Sequence, residues 1–272
     1  MRATVLVDNI PGETLPGEWG LSIHIVHAGH VILLDTGASE LFARNAAALG
    51  IDLSAVELGV LSHAHYDHGD GLGTFFTLND HAPFYLRAGS RENCFGYHEG
   101  SLDYIGLRRG TLAAFRDRIV YTEGLTSLYP GAWLLGHTTP DLARIGERAR
   151  LYAADEHGRR LPDDFRHEQT LVLELEDGLA VFSSCSHGGV MNILREVEEA
   201  FPGRRIRALV GGFHLYETAP EEVRALAMKL RTAGTDRIVT GHCTGQEAFA
   251  VLREELGDGV EQLHTGLTVE IP

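Results

Sequence analysis

The sequence has no long apolar runs and few cysteines. No aliphatic stretch approaches the roughly 20 residues that a membrane-spanning helix needs, so we expect no membrane segment. The three cysteines, Cys94, Cys185 and Cys243, are an odd number without a CxxC pair, which argues against a disulfide framework. The N-terminus shows no secretory signal, because acidic and amide residues follow a very short apolar run. These absences predict a cytoplasmic protein.

Positive charge is also scarce. The formal net charge is −15, and a protein that binds nucleic acid needs a basic surface, so we expect no nucleic-acid partner. Residues 87–166 differ from the rest, with twelve Arg against eleven Asp or Glu. Either this segment is a solvated, ion-paired surface, or it lends Arg side chains to an anionic substrate. The oligomeric state stays open.

Short aliphatic segments bounded by glycine or aspartate predict a mixed α/β protein in which helices cover sheets. The expected strands are Thr4–Asp8, Leu21–Val26, Val31–Asp35, Leu58–Ser62, Pro83–Arg87, Thr170–Leu175, Ala180–Ser184, Arg207–Gly211, Arg237–Thr240 and Leu267–Ile271. The expected helices are Ser39–Leu49, Met191–Ala200, Pro220–Ala233 and Gly245–Leu256. The 272 residues, 44% of them hydrophobic, suffice for one large domain or two small ones.

Residues 88–166 are the least regular part of the sequence. Glycines are scattered among polar residues without a clear period. A segment of this length without periodicity is typical of an insertion or of a cover over a functional site. The alternative is that it contains short helices, for instance over Leu107–Phe115.

The residues that carry chemistry are concentrated at His63-x-His65-x-Asp67-His68. The motif follows an apolar run that ends at Leu61 and precedes two glycines, so it is predicted to lie in a loop at the end of a buried strand. Neutral imidazole nitrogens and carboxylate oxygens are the usual ligands of zinc and related divalent cations. Three imidazoles and a carboxylate within six residues therefore indicate a metal site.

Further polar residues follow other predicted strands. His187, His214 and His242 each come after an apolar segment, in a glycine-containing turn, and Asp35 ends another such segment. In layered α/β folds, functional residues collect at strand ends. One histidine in this context is more often structural, but the repetition beside the His63–His68 motif favours a common site, above all for His187 and His242.

Taken together, these motifs resemble the metallo-β-lactamase-fold superfamily. Within it, the sequence is similar to the branch of 7,8-dihydropterin-6-ylmethyl-4-(β-D-ribofuranosyl)aminobenzene-5'-phosphate synthase-like proteins. The matching segments are Val7-Asp8-Asn9, Gly20-Leu-Ser22, Leu-Leu-Asp35-Thr-Gly, the His63–His68 motif, Asp164-Phe-Arg-His-Glu168-Gln169, Cys185-Ser-His187-Gly-Gly, Gly211-Gly-Phe-His214-Leu and Gly241-His242-Cys-Thr-Gly245. The match covers both ends of the chain and is poor over residues 88–160.

The resemblance implies a single domain over residues 1–272, folded as a four-layer αββα sandwich with the insertion or cover at 88–166. It also implies two divalent cations, with zinc expected before manganese or iron. One cation would be held by His63, His65 and His187. The ligands of the second would be Asp67, His68 and His242, with Asp67 either a direct ligand or an acid–base group. Asp35 would orient a ligand imidazole from behind.

One departure from the superfamily pattern concerns the bridge between the cations. Many superfamily hydrolases have a bridging aspartate after the strand that matches Ala180–Ser184, where this sequence has Cys185. His187 could act two residues later, Cys185 could bridge, or Glu168 could reach in; Cys185 and Glu168 could also lie behind the ligands. A small buried residue is the commoner role for such a cysteine. A missing carboxylate could weaken one site or select iron or manganese.

Two residues are candidates for substrate contact. His214 is expected to face the cleft as a substrate contact or proton donor, against the alternative of a buried structural histidine. Arg87 ends a predicted strand and could bind an anionic group of the substrate.

The resemblance implies first a metal-dependent hydrolase of a small anionic or phosphorylated ester-type substrate, in which water between the cations becomes a hydroxide nucleophile. The second hypothesis is a transferase that condenses a dihydropterin methyl diphosphate with an aminobenzene ribofuranosyl phosphate. The third is a metal-binding sensor with little catalysis.

Overall fold

The structure is a computed structural model that describes residues 1–98 and 100–272. In chain order the strands are β1 (Arg2–Val7), β2 (Ser22–His27), β3 (His30–Leu34), β4 (Leu58–Val60), β5 (Phe84–Arg87), β6 (Cys94–His98), β7 (Ser101–Tyr104), β8 (Ile119–Thr122), β9 (Leu125–Tyr129), β10 (Ala132–Gly136), β11 (Leu151–Ala154), β12 (Arg160–Pro162), β13 (Gln169–Leu175), β14 (Gly178–Phe182), β15 (Ile206–Gly211), β16 (Arg237–Thr240), β17 (Val260–Gln262) and β18 (Thr268–Glu270).

The helices are α1 (Leu41–Ala48), α2 (Tyr66–Gly69), α3 (Leu72–Leu78), α4 (Thr111–Ala114), α5 (Ala143–Ala149), α6 (Val190–Ala200), α7 (Pro220–Ala233) and α8 (Gln246–Leu256). Short 3-10 turns cover Leu53–Ala55, Arg116–Arg118, His242–Thr244 and Gly257–Gly259. Within the described residues, no helix combines the length and apolar character needed to cross a bilayer.

Two seven-stranded sheets form the centre of the molecule. Their strand orders are β18-β1-β2-β3-β4-β5-β8 and β17-β16-β15-β14-β13-β10-β9. In the first sheet, β3, β4, β5 and β8 are parallel neighbours. In the second sheet, β14, β15, β16 and β17 are parallel neighbours. The other neighbours in both sheets are antiparallel.

The period-two alternation of side chains divides the core into three apolar layers. In β13, Leu171 and Leu173 belong to the layer between the sheets, which also contains Ile23 and Ile25 of β2. Val172 points the other way, into the layer that packs under α6, α7 and α8. A third layer packs α1 and α3 on the outer face of the first sheet. The predicted αββα sandwich is therefore confirmed.

Helix α7 shows how local sequence sets an element. Pro220 occupies the first turn, where a missing N–H costs nothing, and Glu221 and Glu222 face the positive end of the helix dipole. The helix ends at Ala233 and is capped by Gly234, whose φ of 74° is accessible to glycine at little cost. The predicted bounds, Pro220–Ala233, are the observed ones.

The expectation that residues 88–166 are irregular is wrong. The segment contributes β8 to the first large sheet and β9 and β10 to the second, and β6, β7, β11 and β12 form a separate four-stranded sheet in the order β12-β11-β6-β7. These strands are short and partly exposed, so their sequences show little apolar alternation. The helix suggested at Leu107–Phe115 is reduced to the single turn of α4.

The parallel strands fix the location of the site. Asp35 follows β3, and the His63–His68 loop follows β4 in the first sheet. Cys185 and His187 follow β14, while His214 and His242 follow β15 and β16 in the second sheet. Carboxyl ends of parallel neighbours lie at one edge of a sheet, so each sheet supplies polar residues at one edge.

Candidate metal centre

The two edges bring together the residues singled out from the sequence. His63, His65 and His187 offer ligand atoms that all lie within 4.8 Å of one another. The Nε2 atoms of His63 and His187, which come from different sheets, are 3.3 Å apart. All three side chains are buried. This set, cluster A, is the first predicted ligand group.

The second predicted ligand group, cluster B, consists of Asp67, His68 and His242 and meets the same 4.8 Å criterion. The Nε2 atoms of His68 and His242 are 3.2 Å apart. Asp67 Oδ2 lies 3.7 Å from each of these two nitrogens. Cluster B therefore also joins the two sheets, because His242 follows β16 whereas Asp67 and His68 follow β4.

Hydrogen bonds orient the lone pairs of two imidazoles. Ser62 Oγ donates to Asp35 Oδ2 at 2.7 Å, so it accepts from His63 Nδ1 at 2.9 Å. His68 Nδ1 donates to the same Asp35 oxygen at 2.8 Å. With hydrogen on Nδ1, each neutral ring has its lone pair on Nε2, the atom that faces the other ligands. Asp35 thus has the orienting position expected of it.

The clusters fit divalent cations by two independent observations. Two ligand atoms bound to one tetrahedral cation at roughly 2.0–2.3 Å lie roughly 3.3–3.8 Å apart. The 3.3 Å pair of cluster A and the 3.2 and 3.7 Å pairs of cluster B are close to this range. In addition, the buried His65 Nε2 has no hydrogen-bond partner among the described residues. Buried polar atoms are rarely left unpaired in proteins, and a cation bound in cluster A would provide the partner of this nitrogen.

Burial keeps most of these imidazoles neutral. It holds the pKa values of His63, His65 and His187 well below the usual range and lowers the pKa of His242 to about 3. His68 is the exception, because the carboxylates of Asp67 and Asp35 outweigh the opposing effect of burial and raise its pKa to about 9. The carboxylates that favour a proton at His68 would equally favour a cation.

Glu168 does not reach the ligand clusters. Its carboxylate accepts the backbone N–H groups of His187 and Gly188, each at 2.8 Å, and hydrogen bonds His137 Nε2 at 2.6 Å. It therefore holds the turn that carries His187. The aromatic ring of Phe165 stacks on His187 with 5.4 Å between centroids and fixes the same imidazole from the side.

A cavity of about 500 Å³ opens onto the clusters. Its lining includes Asp67, Cys185, His187 and His214, with Trp19, Tyr66, Tyr104 and Tyr216 among the remaining residues. His214 is half-buried, and its ring centroid is 4.3 Å from that of His187. The expected position of His214 facing the cleft agrees with this geometry. Gly212 is required beneath it, because a Cβ there would lie 2.5 Å from Cys243 Sγ.

Arg87 is not brought to this cavity. It lines a separate cavity of about 880 Å³ together with Arg91, Arg166 and others, and its guanidinium donates to the carbonyl of Gly124 at 2.9 Å. Arg87 therefore lies outside the cavity that opens onto the clusters, and its contact with an anionic substrate group stays a prediction. No Arg or Lys appears among the described residues that line the 500 Å³ cavity.

Sequence reasoning assigned no role to several residues that support the centre. Asp8 is fully buried, with Oδ2 3.8 Å from His242 Nδ1, and burial raises its pKa to about 8. His167 Nδ1 accepts from Ala64 N–H at 3.1 Å, and His167 Nε2 donates to Asp163 at 3.0 Å, which fixes the loop between His63 and His65. Asp8 and His167 both lie in motifs that carried the family resemblance; their positions in those motifs were the available signal.

Fold and site together define an αββα metalloprotein fold with a cluster of His, Asp and Cys side chains between two sheet edges. The profile of the metallo-beta-lactamase superfamily matches residues 20–242. The chain belongs to this superfamily, as the sequence motifs indicated. Members of this fold family typically bind divalent cations.

Two relatives are similar over most of their length. The 7,8-dihydropterin-6-methyl-4-(beta-D-ribofuranosyl)-aminobenzene-5'-phosphate synthase of Methanocaldococcus jannaschii is 28% identical over 249 residues, covering 88% of this chain and 84% of the relative. The crystal structure of Tm1679, a metal-dependent hydrolase of the beta-lactamase superfamily, has a TM-score of 0.82 and 30% identity, covering 100% of this chain and 99% of Tm1679. The resemblance to the synthase branch is thereby confirmed.

A third structure, a diphosphatase from the PhnP family, shares the fold at a TM-score of 0.55 and 14% identity, with 100% of this chain and 98% of the diphosphatase covered.

Proposed function

We propose that the protein is a metal-dependent hydrolase of small, anionic or phosphorylated ester-type substrates. The observation that carries the proposal is the convergence of clusters A and B, six candidate ligand side chains from both sheets, beside a cavity of about 500 Å³. A cavity of this size suits a small molecule. The superfamily and the 30% identity to a metal-dependent hydrolase support the reaction class.

Clusters A and B would hold the two cations, with zinc favoured by the imidazole-rich donor set and manganese or iron as alternatives. The cations would supply Lewis acidity to the scissile group and would activate water as the nucleophile. They would also supply the positive charge that an anionic substrate needs, because the described cavity lining offers no Arg or Lys.

The chain's own residues would position the substrate and move protons. His214 projects into the cavity next to His187 and is suited to donate a proton to a leaving group or to bind the substrate. Asp67 lines the same cavity, where it could be a ligand or an acid–base group. Burial raises its pKa, which suits the acid–base role. The rings of Trp19, Tyr104 and Tyr216 offer flat apolar surface to a substrate ring.

The test combines elemental analysis with a panel of phosphomonoesters, phosphodiesters and lactones. We expect stoichiometric divalent metal and turnover of at least one class, both lost in His65→Ala. The exposed His81→Ala variant is the matched control and should retain both. Tight metal binding without turnover of any ester would contradict the hydrolase and favour a sensing role.

A second candidate is the transferase that joins a dihydropterin methyl diphosphate to an aminobenzene ribofuranosyl phosphate. The similarity to the Methanocaldococcus jannaschii synthase favours it. Reactions run in ¹⁸O-water separate the two functions, since hydrolysis places solvent oxygen in the product and condensation does not require it. A condensed, unlabelled product would replace the hydrolase proposal.

A further inference from the structure

Cys185 occupies the position between clusters A and B. Its Sγ is 3.3 Å from Nε2 of His68, a separation close to that of two donors on one cation. The sulfur, His63 and His68 together form a compact potential ligand group, so the sulfur is near one imidazole of each cluster. It is also grouped with His242 of cluster B. The residue is 3% exposed and lies in the wall of the cavity.

No carboxylate takes this central position among the described residues. Among the described residues, the imidazoles near the Asp67 carboxylate are those of His68 and His242 in cluster B. The Glu168 carboxylate accepts hydrogen bonds from the backbone N–H groups of His187 and Gly188. Asp35 accepts from Ser62 and His68 behind the rings. Outside the six candidate ligands, Cys185 thus places a donor atom near both clusters, and its remaining side-chain contact is with the Cys243 thiol.

The neighbouring Cys243 provides the contrast. Its sulfur accepts the backbone N–H of His214 at 3.3 Å and donates to the carbonyl of Cys185 at 3.7 Å. It packs against Gly212, where an added Cβ would approach it to 2.5 Å. Cys243 shares a potential ligand group with Cys185 and His242 but with no residue of cluster A. Its contacts are those of a structural cysteine.

We propose that Cys185 is a thiolate ligand shared by the two cations. This inference rests on the proposed binuclear centre. A thiolate sulfur has lone pairs for two cations, and binding would release the thiol proton to solvent. A soft sulfur donor favours zinc, cobalt or ferrous iron over manganese and magnesium, so it also narrows the choice of metal.

The experiment uses the full chain reconstituted with two equivalents of Co²⁺, with binding counted by elemental analysis. X-ray absorption at the cobalt edge then gives the number of sulfur neighbours per cobalt. A shared thiolate gives one sulfur per cobalt, whereas a thiolate bound to one cation gives one half. Near-ultraviolet thiolate-to-cobalt absorption provides an independent signal, and circular dichroism checks that each variant is folded.

We expect one sulfur per cobalt in the wild type and none in Cys185→Ser. Metal affinity should fall by more than the ~10–100-fold that the loss of an outer-shell partner costs. Cys185→Asp should restore the binding of two cations without the sulfur signal. Cys243→Ser and Cys94→Ser should keep the wild-type spectrum.

Sulfur coordination that survives Cys185→Ser, or only half a sulfur per cobalt, would overturn the shared ligand while leaving the binuclear centre intact. Two bound cobalt ions without sulfur would do the same. A wild type that binds no cobalt would instead overturn the proposed function and this inference together.

Discussion

At the scale of single residues, Asp35 orients two imidazoles of the candidate centre, those of His63 and His68. Its Oδ1 accepts Ser62 N–H at 2.7 Å, and its Oδ2 accepts Ser62 Oγ–H at 2.7 Å and His68 Nδ1–H at 2.8 Å. Through Ser62 it also sets the orientation of His63. Its φ of 58° is in the left-handed region, where aspartate and asparagine are tolerated.

Asp35→Asn should therefore fold but bind metal ~10–100-fold more weakly, because an amide cannot accept all these bonds and has no charge to hold the imidazole tautomers. Competition with a chelator of known affinity measures the change. Asp52→Asn, which alters an exposed cap on Ser54, is the matched control. Unchanged affinity in Asp35→Asn would show that the ligands orient themselves.

His65 and His214 should separate metal binding from turnover. His65→Ala should lose most bound metal and nearly all activity, because it removes one of the three cluster A donors. His214→Ala should keep its metal while turnover falls by roughly 100-fold or more. Elemental analysis measures the bound metal and steady-state kinetics measures the turnover of the same preparations. Metal loss in His214→Ala would mean that it, too, is a ligand.

At the scale of elements, the turn between β14 and α6 is held by a buried chain of charges. His137 lies between Glu168 at 2.6 Å and Glu196 at 2.9 Å, and Glu168 in turn accepts the N–H groups of His187 and Gly188. Gly188 has to be glycine, because a Cβ would lie 2.3 Å from the His137 ring. This network of hydrogen bonds thus connects the end of β10, just before His137, to the loop that carries His187 of cluster A.

The stabilisation by His137 should depend on pH. Hydrogen bonds to Glu168 and Glu196 outweigh the opposing effect of burial and raise its pKa to about 9, above an unfolded value of about 6.5. The charged His137 imidazole then contributes about 3 kcal/mol to the free energy of unfolding. This contribution is fully present below pH ~6.5 and is lost as the pH rises through 9. The difference in unfolding free energy between wild type and His137→Gln, measured by urea denaturation, should shrink over that interval.

The exposed His157→Gln is the control and should follow the wild-type curve at every pH. A constant difference between wild type and His137→Gln would contradict the charged state of the buried imidazole.

The elements best predicted from sequence are those with strong periodic patterns or clear ends. The aliphatic runs of β13 and β14 and the Pro and Gly boundaries of α7 have local signals, and the structure matches them to within about two residues. Helix α3 and the strands of the small sheet went unpredicted, since short, partly exposed elements depend on tertiary contacts. His137 escaped notice for the same reason: its partners lie 31 and 59 residues away.

At the scale of the whole molecule, the candidate centre joins the two sheets. The His63–His68 loop belongs to the first sheet, and His187 and His242 belong to the second. The cations would therefore act as cross-links at one edge of the sandwich. Away from that edge, the apolar layer between the sheets holds the two sheets together. The sequence could supply the ligands because each follows a strand, but only the packing of the sheets brings them within reach.

Removal of metal should lower the melting temperature of the entire domain. A ligand at 1,000 times its Kd adds about 4 kcal/mol to the stability of the folded state. Calorimetry before and after chelation should show a single transition that shifts downward and recovers when Zn²⁺ is added back. In a His65→Ala, His242→Ala double variant the melting temperature should not respond to Zn²⁺; a wild-type response in that variant would place the stabilising metal elsewhere.

The most direct test of the central claim is anomalous diffraction from crystals of the metal-loaded protein, recorded above and below the absorption edge of the metal found by elemental analysis. The account predicts two peaks per chain, one within bonding distance of His63, His65 and His187 and one beside Asp67, His68 and His242. Peaks remote from these side chains, or none at full metal loading, would contradict it.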